Sequence, residues 1–371
     1  MPFALGTARA RIGKIVYGVY PLIEHPTGGT ETIPVVLARG RKDGPCCWLT
    51  AGIHGNEHSG LQVLHELLTP ALLRELRGTL CVLPALNPAG LRITARAAYY
   101  PGGDPNRLWP SGQPAPKPDL DRPPPSALER AYARLFEEIR GGADALVDLH
   151  NAWIGSVSFV FRDRVLYRKD GKGAWSQAGA ERLSARLGEM CAAYGHAVVN
   201  EYPAKKYLGE KLQRSTSGAA LNTARIPALT MELGGGEMPD PAIKRAAQAG
   251  IRNILRWQGL LSGPREAIGG IPAIDPGFPC RRRSVARVDG PAVVTHLKEP
   301  GERVKKGEPL VLLRDIWGRP LKPRILTSEY DGWIVGRSHG IVYYPGTAAY
   351  VMAIRDDEPL VAPYPKSYFK A

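Results

Sequence analysis

The sequence predicts an α/β protein: a mixed, mostly parallel sheet flanked by helices, with a smaller all-β C-terminal domain. Three observations carry this expectation. Up to about residue 260, strand-like apolar segments alternate with segments of helical spacing; 262–278 is then rich in Gly and Pro with no helical period; beyond it, short strand-like runs are parted by turns. Strands separated by long helices imply parallel pairing covered on both faces. At about 150 residues per domain, 371 residues suit a large domain, 1–261, and a smaller one, 262–371.

Taken in order, 14–20, 32–38, 47–51, 79–84 and 145–149 read as strands, and 57–73 and 127–139 carry helical spacing. Further on, 176–194 reads as a helix, 227–232 as a strand and 241–260 as a closing helix. The C-terminal strands fall at 284–288, 292–296, 309–313, 333–335 and 350–354. Prolines and glycines crowd the stretch from Pro101 to Pro125, so it reads as a loop, and long loops inside compact domains are usually functional. It holds Asp104, Asn106 and Arg107. The turn pattern from Glu299 to Leu310 resembles biotinyl/lipoyl-type barrels, but no lysine sits at a hairpin tip in the expected setting, which argues against a carrier arm.

Composition excludes several classes. Apolar residues are 44% and charged residues 23% of the chain, near globular averages. No run of about 18 apolar residues occurs and the N-terminus lacks a signal-peptide core, so a membrane span and secretion are disfavoured and a cytoplasmic location is the expectation. The five cysteines form no Cys-x2-Cys pair, which argues against a disulfide framework or a cysteine-ligated zinc. Net charge is +14, yet the one dense basic run, Arg281-Arg282-Arg283, lacks the aromatic interleaving of a nucleic-acid binder. The excess is read as favouring anionic small molecules.

Four constellations carry chemistry. The first is Gly52-Ile53-His54-Gly55-Asn56-Glu57, after a strand and at the start of a helix, where open α/β sheets place their sites. His54 and Glu57 can point into one space there, and imidazole plus carboxylate suits zinc. The second is Leu146-Val147-Asp148-Leu149-His150, an apolar strand ending in Asp-x-His. His150 supplies a third ligand and leaves an open position, the pattern of a catalytic metal. Asp148 shares its face and can accept the ligand's other N–H.

The third is Ala228-Leu229-Thr230-Met231-Glu232-Leu233-Gly234. A carboxyl ending a hydrophobic strand loses solvation, its pKa rises, and Glu232 becomes suited to general-base work. The fourth runs through Asn87-Pro88, Arg96 and Asp104-Pro105-Asn106-Arg107. An arginine fork with an adjacent amide can clamp a carboxylate, which assigns substrate binding to Asn106 and Arg107, while Arg96 can stabilise an oxyanion. Taken singly, each has a bland reading: a solvated helix start, a strand-end histidine, a flexible turn, solvated arginines.

In that order, these motifs resemble the zinc carboxypeptidase superfamily, and more closely its succinylglutamate desuccinylase/aspartoacylase branch, which also has a β-rich C-terminal domain. The resemblance implies one Zn2+ per chain on His54, Glu57 and His150, a base at Glu232, carbonyl polarisation by Arg96, and substrate binding by Asn106 and Arg107. Arg225, where a glycine is common before Ile-Pro, is a further candidate for contact with the acyl group. Two departures, Pro105-Asn106-Arg107 and Leu108-Trp109-Pro110-Ser111, suggest a reshaped pocket. Tyr343 and Tyr344 are candidates to reach over the site from the C-terminal domain.

The resulting expectation is a zinc-dependent amidohydrolase cleaving a small, anionic N-acylated amino acid. The rival is a metallocarboxypeptidase releasing a C-terminal residue from a small peptide, since the same clamp serves a peptide carboxylate. A non-catalytic binding protein of the same fold is disfavoured because His54, Glu57, His150 and Glu232 are all intact. Neither a nucleic acid nor a membrane is an expected partner, and the oligomeric state is open, a homo-oligomer included.

Overall fold

A computed structural model describes residues 3–100, 102–114 and 124–369. Twelve strands form one sheet that runs through most of the molecule. In the first two thirds of the chain its members are β1 (Lys14–Glu24), β2 (Thr30–Arg39), β3 (Lys42–Ala51), β4 (Arg77–Leu83), β5 (Ala145–Ala152), β6 (Ser158–Arg162), β7 (Val198–Asn200) and β8 (Ala228–Gly235). The centre is parallel: β4 pairs with β3, β3 with β5, and β5 with β8. Antiparallel pairs flank it, β2 on β4 and β1 on β2 at one side and β6 on β8 at the other.

The parallel strands are buried towards their carboxyl ends, and β5 carries the run Ala-Leu-Val-Asp-Leu-His-Asn with every residue inside. Strands covered on both faces read as continuous apolar runs, so the polar exceptions at 148 and 150 stand out. Helix α1 (Ser59–Leu67) lies on the Leu149 face, where Gly60 is so close that a Cβ would stand 2.9 Å from the Leu149 Cβ. The short Thr216–Asn222 helix covers the opposite face, with the Ser217 hydroxyl on the Thr230 hydroxyl at 2.8 Å. Helices α2 (Ala127–Gly142), α3 (Gln177–Tyr194) and α4 (Pro241–Trp257) complete the layers. Ser126 and Glu129 form a capping box that starts α2, as Ser-x-x-Glu before an apolar run does.

The helix expected over 57–73 is two. Thr69 is extended, with ψ 157°, and caps a second helix, Pro70–Glu75, because a residue preceding proline is pushed out of the helical region. Strands β6 and β7 were not anticipated; at five and three residues they are too short for a periodic signal. Among its described residues the Pro-rich stretch holds one short turn, Pro105–Arg107; residue 101 and residues 115–123 lie outside the described residues.

The C-terminal part adds its strands after the Gly/Pro-rich segment. Cys280–Arg287 pairs parallel with β7 and extends the large sheet, followed antiparallel by Ala348–Arg355, Gly332–Arg337 and Arg303–Val304. Four further strands form a separate antiparallel sheet, which shares a core around Val294, Leu310, Tyr343 and Tyr350 with the C-terminal strands of the large sheet. Arg164, fully buried, ties the parts together: it pairs with Asp356 at 2.7 Å and donates to the carbonyls of Glu201, Tyr202 and Glu358. Among the described residues no helix is long and apolar enough to cross a membrane.

Candidate active site

The site lies at the carboxyl edge of the parallel strands, and register assembles it. Glu232 of β8 is paired with His150 of β5, and Thr230 with Asp148, so these four side chains share a face. His54 arrives on the turn after β3. Gly52 there takes φ 64°, a left-handed conformation that glycine adopts without strain. The Asn87-Pro88 motif is scaffolding for that turn: Asn87 caps the Pro88–Arg92 helix, and its side-chain amide donates to the Ile53 carbonyl at 3.2 Å.

Gly55 meets that helix directly, since a Cβ added to it would lie 2.0 Å from the Gly90 carbonyl carbon. Gly55→Ala is therefore expected to lower stability by about 1–3 kcal/mol or more and to displace His54 from Glu57. A fall in melting temperature together with weakened metal binding checks this; an unchanged Tm contradicts it.

His54 Nδ1 lies 2.7 Å from Glu57 Oε1, and His150 Nδ1 lies 2.8 Å from Glu57 Oε2. The candidate ligand atoms of His54, Glu57 and His150 all lie within 4.8 Å of one another, and all three residues are buried. Each imidazole turns its other nitrogen to a carboxylate: His54 Nε2 to Asp104 at 3.1 Å and His150 Nε2 to Asp148 at 2.8 Å. Asp148 in turn accepts from the Thr50 hydroxyl at 2.6 Å. Two nitrogens and one carboxylate, with both imidazoles oriented from behind by carboxylates, are the donor set and outer shell that suit zinc.

Electrostatics agree. Burial opposes charge on Glu57, but the two imidazoles win and hold its carboxyl well below the usual range. Burial likewise opposes charge on His150, and Asp148 and Glu57 overcome it and push its pKa up; a bound cation would take the proton's place between the imidazoles and Glu57. Asp148→Asn is expected to weaken metal affinity about 10–100-fold, read by competition with a chelator. Wild-type affinity in the variant would remove the outer-shell role.

Glu232 stands apart from this cluster. It is buried, its Oε2 has no hydrogen-bond partner among the described residues, and burial pushes its pKa up to about 7. Arg96 is half-exposed and donates to Glu57 at 3.2 Å and to Asp104 at 3.0 Å, so it borders the same space. Asp104 caps the Pro105–Arg107 turn by accepting from the Asn106 N–H. The Asn106 side-chain oxygen is taken by the Thr216 N–H at 2.8 Å, which leaves its amide hydrogens for the cavity. Arg107 is held by the carbonyls of Glu210 and Asn106.

One cavity of about 380 Å³ gathers His54, Glu57, His150, Glu232, Arg96, Asn106 and Arg107, a volume suited to a small molecule. The structure does not bring Arg225 there. It takes φ 61°, where glycine is at ease, and its guanidinium is spent on the carbonyls of Leu166 and Ala174 beside Trp175. Tyr343 is buried in the C-terminal core, Tyr344 is exposed, and neither lines the cavity. Trp109 stacks on Tyr132 at 4.9 Å in the main core and does not line the cavity.

Several lining residues were not singled out in the sequence: Asn151, Asp163, Glu201, Ser217 and, from the C-terminal part, Arg282 and Ser338. The sequence marks Asp104 only as a member of its loop. The available signal was position, since Asp163 and Glu201 directly follow β6 and β7 at the sheet edge.

This fold and site define a carboxypeptidase-like α/β protein. Residues 43–257 match the succinylglutamate desuccinylase/aspartoacylase catalytic domain, and the chain belongs to that family. It is 26% identical over 241 residues to the N-alpha-acetyl-L-2,4-diaminobutyric acid deacetylase of Halomonas elongata, a match covering 63% of this chain and 60% of that protein. Among solved structures, a succinylglutamate desuccinylase from Silicibacter sp. TM1040 superposes with TM-score 0.71 at 19% identity, covering 92% of this chain and 95% of that one. The product-bound ectoine utilization protein EutE (DoeB) from Ruegeria pomeroyi gives TM-score 0.71 at 20% identity, with the same coverage.

Proposed function

We propose that this chain is a zinc-dependent deacylase that hydrolyses the amide bond of a small N-acylated amino acid. The observation that carries the reading is the pairing of the His54, Glu57 and His150 cluster with a partnerless buried Glu232 inside one small cavity. Similarity to a deacetylase of an N-acetylated amino acid supports it. His54, Glu57 and His150 would hold one Zn2+ per chain, which when bound supplies Lewis acidity and lowers the pKa of a coordinated water toward about 7.

The chain's own groups supply the rest. Glu232, desolvated and unpartnered, takes a proton from the attacking water at its Oε2 and returns it to the departing nitrogen. Arg96, beside Glu57, faces the negative charge that develops on the carbonyl oxygen. The Asn106 amide and Arg107 orient the substrate carboxylate. The C–N bond breaks, water supplies hydroxyl to the acyl carbon and a proton to nitrogen, and a carboxylic acid and an amine leave. The C-terminal part, through Arg282 and Ser338, narrows the cavity and favours a single amino acid over a peptide. We take 262–371 as a domain that shapes access in this way.

The test is a panel of N-acetyl amino acids against dipeptides and N-blocked dipeptides, with the zinc-loaded protein. Amine release from the N-acetyl amino acids is the expected result. Cleavage restricted to the peptides would replace this reading by the carboxypeptidase.

A further inference from the structure

Unpaired charge converges in a second place, away from the catalytic cavity. A smaller cavity of about 150 Å³ is lined by Lys206, from the short Ala204–Gly209 helix, and by Arg283, Ser284, Arg287 and Glu329 of the C-terminal part. It shares no lining residue with the catalytic cavity. Alternation along Cys280–Arg287 explains the division. Arg282 pairs with Glu201 and lines the catalytic cavity, whereas its neighbour Arg283 leaves the other face of the strand and lies over the Tyr330 ring at 5.2 Å.

The cations of the smaller cavity are left without anionic partners. Lys206 and Arg283 are both partly buried, yet among the described residues neither makes an ion pair or a side-chain hydrogen bond, and Arg283 Nε is buried and orphaned. The Ser284 hydroxyl donates to nothing there either, and Arg287 is held only by the Gly346 carbonyl. Glu329 is the sole lining carboxylate; it is exposed and forms no ion pair with any of the three cations. Unpaired charge out of water is costly, and like charges gathered in a concavity focus a field that attracts counter-ions. Between Ser284 and Arg287 the backbone of Ala286 takes φ 54°, a conformation an alanine adopts only under strain, and such strain recurs at ligand clamps.

From this arrangement we propose that the cavity is an oxyanion site for a phosphate group, carried by inorganic phosphate or by a monoester whose remainder lies in solvent. The donors match that chemistry: a guanidinium fork, an ammonium and a hydroxyl, with a second guanidinium beside them. The volume is below the about 300–1,000 Å³ usual for organic ligands, which limits the occupant to a single phosphate and leaves no room for a nucleotide. An anion held there bridges Lys206 to the strand that carries Arg282. Lys206 and Arg282 also share the Tyr202 ring, at 3.8 and 4.1 Å from its centroid, so one aromatic side chain joins the site to the catalytic cavity. The site is independent of the deacylase reading.

Calorimetry of the full chain at low ionic strength tests it, with inorganic phosphate and phenyl phosphate against acetate at matched ionic strength. Phosphate is expected to bind at least about 10-fold more tightly than acetate. R283M and K206M are each expected to weaken phosphate binding about 10-fold or more, the weight of one charge-assisted hydrogen bond. E329Q, which removes the one opposing carboxylate, is expected to tighten it by up to about 5-fold, a gain that a damaged fold does not produce.

Phenyl phosphate binding as well as phosphate supports the site and identifies it as open to a phosphate-bearing ligand; preference for inorganic phosphate supports it and identifies the free ion. Binding no tighter than that of acetate overturns the proposal. Wild-type affinity in both R283M and K206M also overturns it, since the anion would then sit elsewhere, as in the catalytic cavity.

Discussion

Replacing Glu232 by glutamine leaves the zinc content of the protein at the wild-type level and lowers kcat by about 10²–10⁴-fold, the usual contribution of a positioned acid–base group. The separation of the two effects follows from geometry. Glu232 is not among the three clustered ligand residues, and its Oε2 makes no bond that the amide would break. Its shape is kept by glutamine and only its proton affinity is lost. The pH profile gives a second readout. Burial pushes Glu232 up to about 7 in the metal-free protein, and a divalent cation nearby draws it down again. Because the ionised form takes the proton, kcat/KM is expected to fall as pH drops through an inflection below about 7, and E232Q is expected to lose that limb. Loss of metal in E232Q, or an unchanged rate, would contradict the assignment.

Replacing His150 by alanine removes a ligand and abolishes turnover along with metal binding, an effect larger than the about 10–100-fold expected for Asp148→Asn. It also strips two buried carboxylates of a partner at once, since His150 bridges Glu57 at 2.8 Å and Asp148 at 2.8 Å. Breaking a buried pair by deleting one member costs about 3–5 kcal/mol. The metal-free variant is therefore expected to melt well below the metal-free wild type, as calorimetry will show. Retained zinc and retained turnover in H150A would mean that the cluster is a structural network and not a metal site.

Much of this arrangement was legible in the chain because its strands announce their own ends. An apolar run that stops at Asp-x-His, and another that stops at a glutamate before glycines, mark the sheet edge whatever the pairing. The parallel centre, the His54, Glu57 and His150 grouping and the lone Glu232 follow from that logic. The flanks did not, because β6 and β7 have five and three residues, too few to display a period. With them were lost Asp163 and Glu201, which line the same cavity as Glu232 through long-range register.

Arg282 was hidden differently. Within Arg281-Arg282-Arg283 it looks like one more surface cation, and only the pairing of Cys280–Arg287 with β7 turns it toward Glu201 and the cavity. Arg225 errs in the opposite sense. Its place before Ile-Pro suggested a ligand contact, whereas its backbone takes φ 61° and its side chain closes hydrogen bonds to the Leu166 and Ala174 carbonyls. The Asp104 carboxylate illustrates a third limit. Nothing in Asp-Pro-Asn-Arg tells that its first residue turns back onto His54 Nε2 at 3.1 Å while it caps the turn.

The measurement that tests the central claim most directly is metal analysis of the purified protein coupled to amine release from N-acetyl amino acids, before and after a chelator and after zinc is restored. About one zinc per chain, with activity lost on chelation and recovered on re-addition, is the result expected from three convergent ligands. Absence of bound metal, with no activity gained on adding zinc, would mean that His54, Glu57 and His150 do not converge on an ion, and would contradict the account.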